Sequence, residues 1–166
     1  MVGLAARHRG AASAVEAATI DVLRSGQYVG GPEVEGLEST LAQRMGRHHG
    51  VAVSSGTAAV YLALGALDIE AGSDIIVSPV TDPGSISPVF IGGMNLVIAD
   101  AKQGSYNVGP DEFEKALTPN TRAAILTHLG GHPVDIDPIL EVADSKGIKI
   151  VEDCSQAQGA LYKGKR

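Results

Sequence analysis

An α/β fold, with a mainly parallel sheet between two helical layers, is the fold class predicted by this sequence of 166 residues. Three observations predict it. Short, apolar, β-branched runs alternate with helix-periodic segments, the pattern of parallel strands joined by crossover helices. Glycine is abundant, at 21 residues, which supplies many tight turns. Aromatic residues are scarce, with no Trp, two Phe and four Tyr. Hydrophobic residues make up 44% of the chain, enough to bury a core and to exclude disorder as its main state.

The elements come in a regular order. Ser13 to Glu16 has capping-box spacing, so a helix is expected from there to about Arg24, closed by Gly26. "GQYVGGP" reads as a Gly-rich loop, and Pro32 sits where a first helical residue belongs. Val34, Leu37, Leu41 and Met45 recur with helical spacing, and Gly46 ends that amphipathic helix. The rhythm then changes. "HGVAVS", "DIIVSP", "NLVIAD", "RAAILTH" and "IKIVED" read as strands, each apolar on both faces. "GTAAVYLALGAL", "GSISPVFIGG", "PDEFEKAL" and "IDPILEVADSKG" read as the helices between them, the last closed by Gly147. Five strands therefore alternate with four helices in a three-layer α/β/α sandwich.

Bulk properties narrow the function. The net charge is −6 and the pI about 5.3, which argues against a nucleic-acid surface. No apolar run is long enough to span a membrane, so no membrane partner is expected. The start, "MVGLAARHRG", lacks the apolar length and charge order of a secretory signal. A single cysteine, Cys154, leaves no internal disulfide and fits a reducing compartment, with the cytoplasm as the default.

Parallel sheets bind ligands beyond the carboxyl ends of their strands. The windows that matter are therefore Ser54 to Thr57, Ser78 to Ser85, His128 to His132 and Asp153 to Gln156. In "SSGTAA", Gly56 allows close backbone approach, Thr57 supplies a hydroxyl and Ala58 an unobstructed N–H, together an anion site at a positive helix end. The competing reading is that Ser55 or Thr57 merely caps the helix. The motif is neither a Walker loop nor a dinucleotide fingerprint. Asp153 ends an apolar strand and can accept a hydrogen bond from a protonated ring nitrogen, or else cap the next segment of chain. Gln156 can reach the same ligand, or else be a solvated loop amide. His128 and His132 lack a convincing further ligand, so a satisfied histidine at the sheet edge is expected and no metal. His48 and His49 belong on a surface turn. Cys154 has no base within sequence reach, and Thr81 to Ser85 reads as turn chemistry with a helix start.

Taken in order, "GGPEVEGLE…LAQRMG", "VAVSSGTAAVYLALGAL", "DIIVSPVTDPGS", "YNVGPDEFEKALTPNTRAAILTHLGGHPVDID" and "IKIVEDCSQAQGALYKGK" resemble the sugar aminotransferases of the DegT/DnrJ/StrS type. These are fold-type I enzymes that use pyridoxal 5'-phosphate (PLP). The resemblance runs from about Ser25 to Arg166. It implies that Gly56, Thr57 and Ala58 hold the cofactor phosphate, that Asp153 pairs with the pyridinium nitrogen as the catalytic acid partner, and that Gln156 contacts the ring near its hydroxyl. Where the family often stacks an aromatic on the ring, Asp82 comes after Thr81. The resemblance also implies residues 1–30 as an N-terminal helix and Gly-rich loop, residues 31–166 as part of the PLP-binding large domain, and a homodimer. The family's Schiff-base lysine comes after the "YKGK" segment, and its small C-terminal domain lies further on. Lys102, Lys115, Lys146, Lys149, Lys163 and Lys165 do not match that lysine. The expectation is thus a partial sequence, inactive alone, from an enzyme that moves an amino group, from glutamate, to a keto sugar nucleotide or cyclitol. Relatives with histidine in the lysine's place act as sugar dehydratases, a second reading. A non-catalytic PLP-binding or interaction module is a third.

Overall fold

The computed structural model describes residues 3–165. Met1 and Val2, which open the N-terminal segment, and Arg166, which ends the family resemblance, lie outside the described residues. The chain forms two compact units, Met1–Ala52 and Val53–Arg166.

The first unit holds two helices. Helix α1 spans Leu4–Ser25 and closes at Gly26, whose φ of 72° is the left-handed conformation that favours glycine. It starts well before Ser13, at an N-cap Gly3 that makes no side-chain bond. The capping-box start is thereby corrected: Ser13 lies inside the helix. The alanine-rich run around it has enough helix propensity to carry the helix upstream. Helix α2 spans Pro32–Arg44 with Pro32 at its first turn, as the fixed φ of proline favours. Past α2, the predicted strand 49–54 does not form, so among the described residues the five expected strands become four. Its backbone is engaged elsewhere: Ala52 N–H donates to Glu38 Oε1 at 2.7 Å rather than to a ladder partner.

The second unit alternates as expected. Helix α3 is Gly56–Ala66, β1 Asp74–Val77, α4 Pro83–Ile91, β2 Asn95–Ile98 and α5 Pro110–Ala116. Then come β3 (Thr121–Thr127), a 3₁₀ turn at Leu129–Gly131, α6 (Ile136–Lys146) and β4 (Lys149–Asp153). The four strands are all parallel, in the order β2-β1-β3-β4. Because side chains alternate along a strand, the sheet has two apolar faces. Ile75, Val77, Ala123 and Ile125 meet Val60 and Leu64 of α3 and Val89 of α4. Ile76, Ala124 and Leu126 meet Phe113 of α5 and Ile139 and Ala143 of α6. The result is the three-layer sandwich. Only β1 and β3 are buried on both faces, while β2 and β4 are half-exposed, because they are the edge strands among the described residues.

The strand order positions the site. The chain runs from β1 outward to β2, then back across the sheet to β3. The reversal opens a crevice at the carboxyl ends of β1 and β3, where an open α/β sheet binds its ligand.

Candidate active site

A cleft of about 230 Å³ lies at that carboxyl edge. Gly56 and Thr57 reach it from the start of α3, Asp82, Gly84 and Ser85 from the start of α4, and Asp153, Ser155 and Gln156 from the end of β4. A cavity of about 260 Å³ sits between Ser73, Arg122 and Lys149, at the amino ends of the strands. It is the larger, but parallel sheets bind ligands at the other end.

Of the residues expected from sequence, Gly56, Thr57, Asp153 and Gln156 converge on the cleft; Ala58 does not line it. Ser55 is the N-cap of α3, extended at φ −163° and ψ 163°, and its Oγ accepts the Ala58 N–H at 3.1 Å. The cap reading of Ser55 therefore holds, and the Ala58 N–H is not unobstructed. The N–H groups of Gly56 and Thr57 remain at the positive end of the helix, where they have no intrahelical acceptor. A Cβ built on Gly56 meets nothing nearer than Ser155 Oγ at 3.8 Å, so the space above this helix end is open. Gly84 is the opposite case. A Cβ there would lie 2.7 Å from Thr57 Oγ1 and 2.9 Å from Asp82 Oδ1, so only glycine lets the starts of α3 and α4 come this close.

Asp153 is half-buried at the end of β4. Its Oδ2 accepts Ser85 Oγ–H at 2.6 Å and its Oδ1 accepts the Ser155 N–H at 3.0 Å. Burial pushes its pKa up, but the bonds from Ser155 and Ser85 together outweigh burial and hold it below the usual carboxylate value. Asp153 is accordingly an anion at neutral pH. Gln156 Oε1 accepts the Gly130 N–H at 2.8 Å. A backbone N–H needs an acceptor, so this bond fixes the amide with its Nε2 donors on the other side.

His128 is buried just past β3, and both ring nitrogens are engaged. Nε2 lies 3.0 Å from Glu152 Oε2, and Nδ1 accepts the Val134 N–H at 2.9 Å. Cys154 and Glu152 beside it favour the protonated ring, against burial. The Val134 bond works the other way, since a proton on Nδ1 would abolish it. That bond is the buried one and prevails, so the ring keeps its proton on Nε2 and donates it to Glu152. This is the satisfied histidine expected from sequence. Among the described residues no cluster of three or more His, Cys, Asp or Glu could hold a metal.

Sequence reading misses Ser85, Thr81 and Thr127. It predicts turn chemistry for "TDPGS", and in part that is what forms: Asp82 caps α4, its Oδ1 accepting the Gly84 N–H at 2.8 Å. No aromatic side chain lines the cleft among the described residues. Cys154 is exposed and unpaired with another cysteine. Lysines are likewise absent from the lining among the described residues; Lys163 sits on a terminal turn, paired with Asp137 at 2.6 Å.

The chain matches the model of the DegT/DnrJ/EryC1/StrS aminotransferase family over residues 11–166. It is 42% identical over 151 residues to dTDP-3-amino-3,4,6-trideoxy-alpha-D-glucose transaminase of Streptomyces venezuelae. That match covers 91% of this chain and 40% of the relative, so the chain spans well under half the relative's length. The crystal structure of S. venezuelae DesV in complex with a ketimine intermediate superposes with a TM-score of 0.94 at 40% identity, over 98% of this chain and 44% of that one. A GDP-4-keto-6-deoxymannose-3-dehydratase with a trapped PLP-glutamate geminal diamine superposes with a TM-score of 0.82 at 27% identity, over 88% of this chain and 39% of that one.

Proposed function

The chain belongs to the DegT/DnrJ/EryC1/StrS aminotransferase family, and from that premise we propose that the protein transfers an amino group, from glutamate, to the keto group of a sugar nucleotide or cyclitol, with PLP as its cofactor. One observation carries the reading: an ionised acid, Asp153, and a positive helix end at Gly56 and Thr57 face a single cleft. An aromatic cation bearing a phosphate needs both at once.

The residues present fit PLP. The open space above Gly56 admits a phosphate, and the Gly56 and Thr57 N–H groups with the Thr57 hydroxyl supply its donors. Ala58 would join them only by releasing Ser55. Asp153 would accept the pyridinium N–H, and its lowered pKa keeps that carboxylate charged. Gln156 would offer Nε2 to the ring hydroxyl, its orientation set by Gly130. Bound there, PLP supplies an electron sink for a carbanion next to nitrogen. Asp153 sustains that property by holding the ring proton. The reading needs a lysine to move the substrate proton, and no described residue of the cleft provides it. Residues 1–166 alone would thus bind PLP non-covalently and not turn over. The family reading further makes the protein a cytoplasmic homodimer, with residues 1–30 beside the interface or the substrate and 31–166 in the large domain.

The test is Asp153→Asn in a full-length protein that carries the lysine, assayed for amino transfer from glutamate to a dTDP-keto sugar. Removing a preorganised charge of this kind lowers kcat by roughly 10²-fold or more, with the thermal midpoint little changed. Near-normal turnover would sink the assignment. The dehydratase neighbour supports a second reading with the same cleft and cofactor. Product analysis separates the two: an aminated sugar for the first, a deoxygenated keto sugar for the second.

A further inference from the structure

Behind Asp153 runs a file of three hydroxyls. Ser85 Oγ–H donates to Asp153 Oδ2 at 2.6 Å, Thr81 Oγ1–H donates to Ser85 Oγ at 3.1 Å, and Thr81 Oγ1 lies 2.7 Å from Thr127 Oγ1. Each hydroxyl has a single proton to give, and an ionised carboxylate can only accept. The directions are therefore fixed. Ser85 gives its proton to Asp153, Thr81 gives its own to Ser85, and Thr127 must donate to Thr81. Ser85 and Thr127 are almost wholly buried, 1% and 3% exposed, so water cannot substitute for a missing member. Thr127 is also the residue opposite Asp153 in the β3–β4 pairing. The file thus leaves β3, passes through the start of α4 and ends on the acid of the neighbouring strand.

We propose that Thr127, Thr81 and Ser85 form a positioning relay that fixes the orientation and charge of the Asp153 carboxylate, with Ser85 as its terminal donor. The proposal rests on the reading of Asp153 as partner of the ring nitrogen. A chain of donors pointing one way strengthens each bond in it, and bonds to the charged form of an acid favour that form. The other titratable groups around Asp153 are Asp82 at the start of α4, which shares its cleft, and His128 beyond β3, which acts on it through charge, with Cys154 next in sequence; α3 brings none into the cleft. All of these remain when Ser85 is changed.

The experiment is a pH titration of the Asp153 carboxyl stretch by infrared difference spectroscopy on the cofactor-free protein, with D153N assigning the band. PLP affinity is measured over the same pH range. Losing a bond to a charged group is worth about one pH unit or more, so Ser85→Ala moves the midpoint up by roughly that amount. S85T, which keeps the hydroxyl, restores it. Thr81→Val, which leaves Ser85 in place but removes its donor, shifts the midpoint in the same direction by less, and carries the test if S85A does not fold. A purely structural role would lower the melting temperature and leave the midpoint in place; that result overturns the relay even where PLP still binds. A shifted midpoint in a protein that does not bind PLP upholds the relay and overturns the cofactor reading instead.

Discussion

Gly84 shows how a single missing side chain sets the geometry of the cleft. Its absent Cβ is the space taken by Thr57 Oγ1, which approaches to 2.7 Å of where that atom would be. In Gly84→Ala the threonine must swing away, and the hydroxyl that the phosphate would meet moves with it. Alanine is meanwhile the better helix former, and Gly84 lies in the first turn of α4. The substitution should weaken PLP binding by about 10-fold or more, the loss expected for one bond to a charged group. The unfolding temperature should change little, because the helix gain is offset by the strain that the new Cβ puts on the Asp82 cap 2.9 Å away. Titration of PLP with each protein, beside a thermal melt, checks both halves. Equal affinities would show that Thr57 does not touch the phosphate.

Segment 49–54 shows what makes an apolar run a strand. "HGVAVS" has strand composition, yet Val51 stays 79% exposed and the Ala52 N–H goes to a helix side chain. A strand exists only when its backbone finds a ladder, and composition cannot report whether one is within reach. "RAAILTH" has similar composition but lies between two strands, and it pairs along both. Helix ends obey similar logic: Ser13 has the right neighbours for a cap, but a run of alanines decides where α1 begins. Gly50 marks where the segment turns against α2, since a Cβ there would sit 2.6 Å from the Glu38 carbonyl oxygen. Gly36, within α2, has nothing within 4 Å of its own absent Cβ. Gly50→Ala should therefore destabilise by about 1–3 kcal/mol as overpacking does, whereas Gly36→Ala should stabilise by up to about 1 kcal/mol. Urea unfolding of the two variants would expose an error if they moved together.

Across the whole molecule, the legible part of the site is the part written in strand ends. Asp153 can be found because an apolar strand delivers an acid to its carboxyl end, and Gly56 and Thr57 because a small-residue helix start comes after an apolar run. Ser85, Thr81 and Thr127 cannot. Their roles come from segments far apart in sequence that meet only when β3, β4 and α4 assemble, and each reads locally as turn or strand. The cleft is likewise a tertiary product, joining residues 56–57, 82–85 and 153–156 across the crevice that the strand order creates. The central claim is that this cleft seats PLP with its phosphate on α3 and its ring nitrogen on Asp153. The most direct measurement is a crystal structure of the protein grown with PLP. The account predicts the phosphate against the Gly56 and Thr57 N–H groups and the ring nitrogen within about 3 Å of an Asp153 oxygen. Density for PLP elsewhere, or with its ring nitrogen turned away from Asp153, would contradict it.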